Sequence, residues 1–230
     1  HTDRLIDLAR AIKASRRIRL KGILTHAGQT YQGSSREERV EKYLSSIATM
    51  HRLRSELAAA GIEGMAISVG DTPGCTLSPT LGDVGEIRPG NFVFYDSQML
   101  NKGVCDWSKI AMVMACPIIS LQPERDEVVV YGGAIHFSKD TLQDGEVTHH
   151  GYVVVLNEDG SWGEPMPGCY LARMSQEHGV IRMSREAMQH YKIGDRIGVI
   201  PAHVCLTVSA MRRYLTLDGE WIPAFEDCDA

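Results

Sequence analysis

No stretch of this 230-residue chain is apolar over the ~18–20 residues needed to cross a bilayer, so no membrane-spanning helix is expected. Positive charge is not in excess. Lys and Arg total 24 against 29 Asp and Glu, a net charge of −5. That argues against the one-sided basic surface that nucleic-acid binding requires. C-x-x-C pairs are also missing. The six cysteines (Cys75, Cys105, Cys116, Cys169, Cys205 and Cys228) lie far apart, which excludes a disulfide framework and a zinc knuckle. A reduced, cytoplasmic protein is the expectation. The chain has neither an initiator Met nor a signal-peptide pattern. It opens "HTDRLIDLARAIKAS", with Leu5, Leu8 and Ile12 at helical spacing, and reads like the middle of a longer protein.

What is present is ordinary for a globular chain: 43% hydrophobic and 23% charged residues, enough for one large domain or two modest ones. Residues 17–24, "RIRLKGIL", alternate like a strand and run into the loop "THAGQTYQGSS". A helix is expected next, opened by Ser35 with Glu38 as a capping box. Tyr43, Ile47, Met50, Leu53 and Leu57 line one face of it, and Gly61 ends it. "GMAISVG" reads as a buried strand broken by "GDTPGC", and "IRPGNFVFYD" as a turn followed by a strand. Strand, helix, strand with short links is the grammar of a parallel sheet or barrel.

After about residue 108 the grammar changes to strand-like runs such as "IAMVMACPIISL", "EVVVYGGAI" and "GYVVVLN". Turn signals separate them, and "SREAMQHY" is the one helical segment expected there. The expected fold is therefore α/β plus β. Residues 1–107 are too few for a complete eight-stranded β/α barrel, which takes ~250 residues. Residues 108–230 form a mostly antiparallel β domain.

Four segments carry candidate chemistry. In "IGVIPAHVC", His203 and Cys205 share one face if the segment is a strand. An imidazole and a thiolate side by side suit Zn²⁺; a core histidine next to a buried cysteine acting as a small hydrophobe fits equally. "SVGDTPGC" ends a strand in a turn whose N–H groups could meet a phosphate, but it is neither a dinucleotide fingerprint nor a P-loop, and an ordinary strand-to-loop turn fits it too. "THAGQTY" puts His26 and Tyr31 after a strand end, where they could bind or carry protons or simply order a loop. "SQEHG" sets Glu177 beside His178, as metal or base donors or as a solvated pair.

In this order, "GILTHAGQTY", "ISVGDTPGCT", "EIRPGNFVFYDSQ", "SQEHGVI", "GDRIGVIPAHVC" and "LDGEW" resemble the D-serine dehydratase / D-threonine aldolase group. These are fold-type III pyridoxal-phosphate (PLP) enzymes related to alanine racemase. The resemblance implies that residues 1–107 are the C-terminal portion of a (β/α)8 PLP-binding barrel and residues 108–230 a β domain with a metal site. His203 and Cys205 become ligands of Zn²⁺ or another divalent metal such as Mn²⁺. Gly70, Asp71 and Thr72 join the phosphate cradle, Tyr95 approaches the phosphate, and His26 and Tyr31 are catalytic candidates near the cofactor ring. A homodimer acting on a small D-amino acid is implied, with D-serine converted to pyruvate and ammonia. D-threonine-type cleavage to glycine and an aldehyde is the alternative, and a catalytically inactive metal- or phosphate-binding or oligomerisation fragment a further one.

The family's Schiff-base lysine lies in a P-x-x-K-T-H-like segment near its N-terminus. None of the seven lysines here (Lys13, Lys21, Lys42, Lys102, Lys109, Lys139 and Lys192) has that context. Lys21 is expected to be an outward-facing strand residue, and the chain to lack about half of the barrel.

Overall fold

Two compact units, residues 1–92 and 93–230, make up the computed structural model, which describes residues 2–224. In the first, α1 (Thr2–Ala14) precedes β1 (Gly22–His26), and α2 (Arg36–Ala59) connects β1 to β2 (Ala66–Gly70). The short α3 (Thr72–Leu77) then leads to β3 (Glu86–Ile87). The three strands form one parallel sheet in the order β1-β2-β3, with Gly22 opposite Ala66 and His26 opposite Gly70. This is the expected βαβ unit.

Local chemistry explains the helices. Ser35 caps α2 by accepting from the Glu38 N–H at 3.1 Å. The Glu38 carboxylate turns to the Ser34 N–H at 2.7 Å, so only half of the expected capping box forms. Tyr43, Ile47 and Met50 pack on Ile67 and Val69 of β2, with Leu53 at the margin. Gly61 follows the helix at φ +81°, a left-handed conformation that favours glycine at this position. On α1, Leu5, Ile6 and Ala9 face inward onto Leu57, Ile62 and Met65. Leu8, expected on that stripe, is 57% exposed. The first strand begins at Gly22 rather than Arg17, because pairing with β2 starts there, and Lys21 is exposed just ahead of it.

In the second unit α4 (Ser97–Asn101) comes first, followed by β4 (Met114–Gln122), β5 (Glu127–Tyr131) and α5 (Ala134–Phe137). A hairpin of β6 (Leu142–Asp144) and β7 (Val147–His149) precedes β8 (Gly151–Leu156), β9 (Trp162–Met174) and β10 (His178–Arg182). Next come α6 (Arg185–Met188), β11 (Arg196–Pro201), α7 (Val204–Met211) and a last hairpin of β12 (Arg213–Leu215) with β13 (Trp221–Pro223). Six antiparallel strands close into a barrel in the order β10-β5-β4-β11-β8-β9. Ile118, Val128, Val130, Leu171, Ile181, Ile197 and Val199 fill it, and Cys116 and Cys169 are buried there as packing residues. Cys228 lies outside the described residues. Among the described residues no helix is long and apolar enough to cross a membrane.

Several expectations need correction. The units divide after Phe92, earlier than the expected boundary at residue 107. The reason is hydrogen bonding within the second unit: Ser97 Oγ donates to the Ile200 carbonyl at 2.7 Å, and the Gln98 N–H to Ala202 at 3.2 Å. "IRPGNFVFYD" is not a turn and strand; residues 90–93 form a 3₁₀ helix, and Tyr95 sits at φ +52°. A left-handed tyrosine breaks an extended run. Residues 184–191 are not the only helical segment of the β part, since α5 and α7 are helices too.

The "SQEHG" turn owes its place to a backbone contact. The N–H groups of Gly132, Ala134 and Ile135 donate to the carbonyls of Glu177, Ser175 and Gln176 at 2.9–3.1 Å. A Cβ on Gly133 would fall 2.5 Å from Gln176 O and 2.6 Å from His178 N, both backbone atoms that cannot step aside. Gly133→Ala is therefore expected to cost about 1–3 kcal/mol. A drop in the urea midpoint measures it; an unchanged midpoint would show that the turn yields.

Candidate functional site

The expected site residues fall into one group in each unit. In the first, they gather where the parallel strands end. His26 closes β1 and Gly70 closes β2, directly opposite each other. Residues 28–32 form a 3₁₀ turn after β1 that brings the Tyr31 ring to 6.0 Å from the His26 ring. Asp71 caps α3, and its Oδ1 accepts from the Gly74 N–H at 2.5 Å and from the Thr30 hydroxyl at 2.7 Å. The Thr72 N–H reaches the Tyr31 hydroxyl oxygen at 3.4 Å, a long contact. His26, Tyr31, Gly70, Asp71 and Thr72 are thus brought together.

The electrostatics of this group centre on Asp71, which is 1% exposed and whose Oδ2 has no hydrogen-bond partner. Burial pushes its carboxyl above the usual range, opposed by the hydrogen bonds from Thr30 and Gly74. The N–H groups of Gly74 and Cys75 are already donated to Asp71, to its side chain and its carbonyl respectively.

In the second unit the organising residue is Asp96, wholly buried and unforeseen in the sequence. One of its oxygens caps α4 by accepting from the Met99 N–H at 3.0 Å. The other meets His203 Nδ1 at 2.9 Å and the Val204 N–H at 3.2 Å. That second bond starts α7. His203 and Cys205 therefore do not lie on a strand: β11 stops at Pro201, His203 is the N-cap of α7, and Cys205 is in its first turn. The two side chains still meet, through a hydrogen bond between them. His203 is 29% exposed and Cys205 is exposed. Tyr95, next to Asp96, packs with Ile110, Val154 and Ile200. Its neighbour Asp96 bonds His203 directly.

The donor set suits a metal. With Nδ1–H committed to a carboxylate, His203 keeps Nε2 as a ligand, and Cys205 adds a sulfur one position past the Val204 cap. A nitrogen and a sulfur donor match Zn²⁺. Among the described residues no group of three His, Cys, Asp or Glu is placed to hold a metal, so two protein ligands would leave the remaining positions open. Glu177 and His178 are exposed, and His178 faces Tyr131 with ring centroids 6.2 Å apart.

Without a metal, the hydrogen bond that the His203 imidazole donates to Asp96, and next its hydrogen bond with Cys205, raise it to about 10 from its ordinary 6.5. A raised histidine stabilises the fold fully below pH 6.5, and that contribution is lost as pH rises through 10. Urea midpoints of the chelated chain are expected to decline across this window, less steeply in His203→Gln. Equal slopes would show that His203 does not hold its proton through Asp96.

Asp96 left a weak trace in the sequence. "YDSQM" is an N-cap pattern, an aspartate three residues before the N–H it accepts from. Its bond to His203 spans 107 residues, and nothing in the local pattern signals it.

Known proteins share parts of this sequence and fold. Residues 111–217 match the family described as "Putative serine dehydratase domain". The chain is 30% identical over 213 residues to D-threo-3-hydroxyaspartate dehydratase of Delftia sp. strain HT23, covering 88% of this chain and 54% of that protein. It is 26% identical over 230 residues to D-serine dehydratase of Dictyostelium discoideum, covering 95% and 56%. The chain spans about half the length of the curated relatives it matches. The solved Delftia enzyme superposes with a TM-score of 0.82 at 29% identity, over 96% of this chain and 59% of that one. That enzyme has also been solved as a cysteine-to-alanine mutant in the metal-free form and as a histidine-to-alanine mutant, the two positions separated by one residue. D-threonine aldolase from Filomicrobium marinum, 19% identical with a TM-score of 0.74 over 95% of this chain and 57% of that one, shares the fold. With residues 111–217 matching a serine dehydratase domain, and with the fold of D-threo-3-hydroxyaspartate dehydratase over 96% of its length, the chain is similar to the D-serine dehydratase / D-threonine aldolase group.

Proposed function

We propose that this chain supplies the metal site and the phosphate end of the cofactor site of a lyase dependent on PLP and a divalent metal. The enzyme eliminates water from D-3-hydroxy amino acids; D-serine would yield pyruvate and ammonia. The observation that carries the reading is the Asp96-held His203 in contact with Cys205. The histidine and cysteine replaced in the Delftia enzyme have the same spacing, and one of those mutants is metal-free.

The chain's own residues have definite parts. His203 Nε2 and Cys205 Sγ hold Zn²⁺, with Asp96 keeping the imidazole in place. Thr72 and Tyr31 offer their hydroxyls to the phosphate at the end of β2. Asp71, whose carboxyl burial holds above its ordinary range, would border the phosphate and cap the helix that follows. His26, exposed at the end of β1, carries protons to and from the substrate. When bound, PLP supplies an electron sink at Cα, and the metal a Lewis acid for the departing β-hydroxyl. None of the seven lysines stands in the family's lysine segment, so this reading assigns the chain metal and phosphate recognition.

Dehydration is favoured over aldol cleavage because the curated relatives matched in sequence are dehydratases, whereas the aldolase shares the fold alone. The test supplies the enzyme carrying this chain with PLP, Zn²⁺ and, in turn, D-serine, D-threo-3-hydroxyaspartate and D-threonine. A 2-keto acid and ammonia are expected. Glycine and an aldehyde as sole products would overturn the dehydratase reading.

Zinc loading displaces a proton from His203, so Zn²⁺ affinity is expected to fall at least tenfold per pH unit below about 10. Titration calorimetry at two pH values in non-coordinating buffers reads this. A pH-independent affinity would mean that His203 is not a ligand.

A further inference from the structure

Asp96 is a buried carboxylate in contact with three separate groups. Its Oδ1 accepts from the Met99 N–H, and its Oδ2 is shared between His203 Nδ1 and the Val204 N–H. Capping two short helices does not require a charge: serine, threonine or asparagine caps do that work as well. Nor does the fold benefit from hiding a carboxylate at 0% exposure, since an isolated buried charge is costly. A carboxylate is the strongest of the acceptors that fix an imidazole as donor at Nδ1, so that Nε2 carries the lone pair. The second oxygen aims at that nitrogen and at the first N–H of the helix bearing Cys205. The same atom therefore orients one donor and anchors the backbone of the other.

We infer that Asp96 is the positioning residue of the metal site, fixing the His203 tautomer and the start of α7 so that Nε2 and the Cys205 sulfur are presented together. This rests on the reading of His203 and Cys205 as metal donors, and adds to it a residue that does not itself touch the metal. The Ser97 hydroxyl supports the arrangement from the neighbouring position. It donates to the Ile200 carbonyl at 2.7 Å and accepts from the Tyr152 N–H at 3.2 Å, which ties the aspartate's segment to β8 and to the strand leading into His203. Tyr95, at φ +52°, turns the chain sharply just before Asp96. A strained conformation next to a buried carboxylate is the kind of local cost that persists where geometry serves a site.

The test is a double-mutant cycle on the Zn²⁺ affinity of the 230-residue chain, measured by competition with a chromophoric chelator. Asp96→Asn is expected to weaken Zn²⁺ binding by about 10- to 100-fold, as loss of a partner behind a metal-bound histidine typically does. In a His203→Ala background the same change should have a clearly smaller effect, because the part of the loss that runs through the imidazole is already gone and only the anchoring of α7 remains. An aspartate serving only as a helix cap would give additive losses, and that result would overturn the inference. With Co²⁺ as probe, the sulfur-to-cobalt charge-transfer band should persist in Asp96→Asn and vanish in Cys205→Ala.

Two further outcomes separate the inference from the reading beneath it. If His203→Ala and Cys205→Ala bind Zn²⁺ as tightly as the unaltered chain, the metal site itself is wrong and this inference falls with it. If those variants lose affinity and a folded Asp96→Asn does not, only the role of Asp96 is refuted. Should Asp96→Asn fail to fold, ring-nitrogen NMR on the unaltered chain decides the matter. Zn²⁺ should shift Nε2 of His203 while the proton stays on Nδ1; coordination at Nδ1 would overturn the inference.

Discussion

Asp96→Ala is expected to destabilise the chain by about 2–5 kcal/mol. The size follows from what the carboxylate satisfies. Removing an N-cap acceptor costs about 1 kcal/mol, and Asp96 caps both α4, through Met99, and α7, through Val204. Losing the partner of His203 leaves a half-buried donor unmatched, at about 1–3 kcal/mol more. For a protein of this size, 1 kcal/mol moves the melting temperature by about 2–4 °C, so the expected fall exceeds the scatter of a calorimetric scan. Asp96→Asn should lie between the two proteins, since one amide oxygen can still accept at one cap. A melting temperature unchanged in Asp96→Ala would show that water replaces all three bonds. That outcome would remove the basis for treating this carboxylate as the centre of its unit.

The second large effect is on catalysis. If the proposed lyase uses this metal site, His203→Ala and Cys205→Ala are each expected to lower its turnover of D-serine by about 10²–10⁴, the several kcal/mol that a Lewis acid contributes to a departing hydroxide. Hydroxide is a poor leaving group, so loss of a Lewis acid removes the main stabilisation of its charge. Chelation of the unaltered enzyme should reproduce the loss, and added Zn²⁺ should restore it. The variants should remain inactive with Zn²⁺ at concentrations that restore the chelated enzyme. Turnover indifferent to chelation, or variants with full activity, would remove the metal from the reaction. Stability distinguishes these two residues from Asp96. Cys205 is exposed, so its replacement should leave the melting temperature nearly unchanged while activity collapses.

Much of the fold was legible because its causes are local. Ser35, the stripe of Tyr43, Ile47 and Met50, and Gly61 bound the longest helix, and each acts within a few residues of itself. The strands of the barrel were readable as apolar runs between turns. "RIGVIPAHVCLTV" was misread for the opposite reason. Its apolar residues continue past Pro201, so pattern alone extends the strand. The helix begins at Val204 because an oxygen of Asp96, 108 residues away in sequence, accepts its N–H. Pairing on the strand rule would put His203 and Cys205 on one face; in the helical start they meet through a cap and the first turn.

By itself the sequence determined the βαβ beginning, the β-rich second half, the residue types of both candidate sites and the family resemblance. All of these depend on periodicity, short turns and short motifs, which are properties of neighbours along the chain. Only the tertiary structure decided that the units divide after Phe92, that Asp71 keeps one carboxylate oxygen buried without a partner, and that Asp96 stands behind His203. Each of these depends on burial or on a hydrogen bond across long stretches of chain. A buried carboxylate looks the same in sequence as a solvated one until folding removes the water around it.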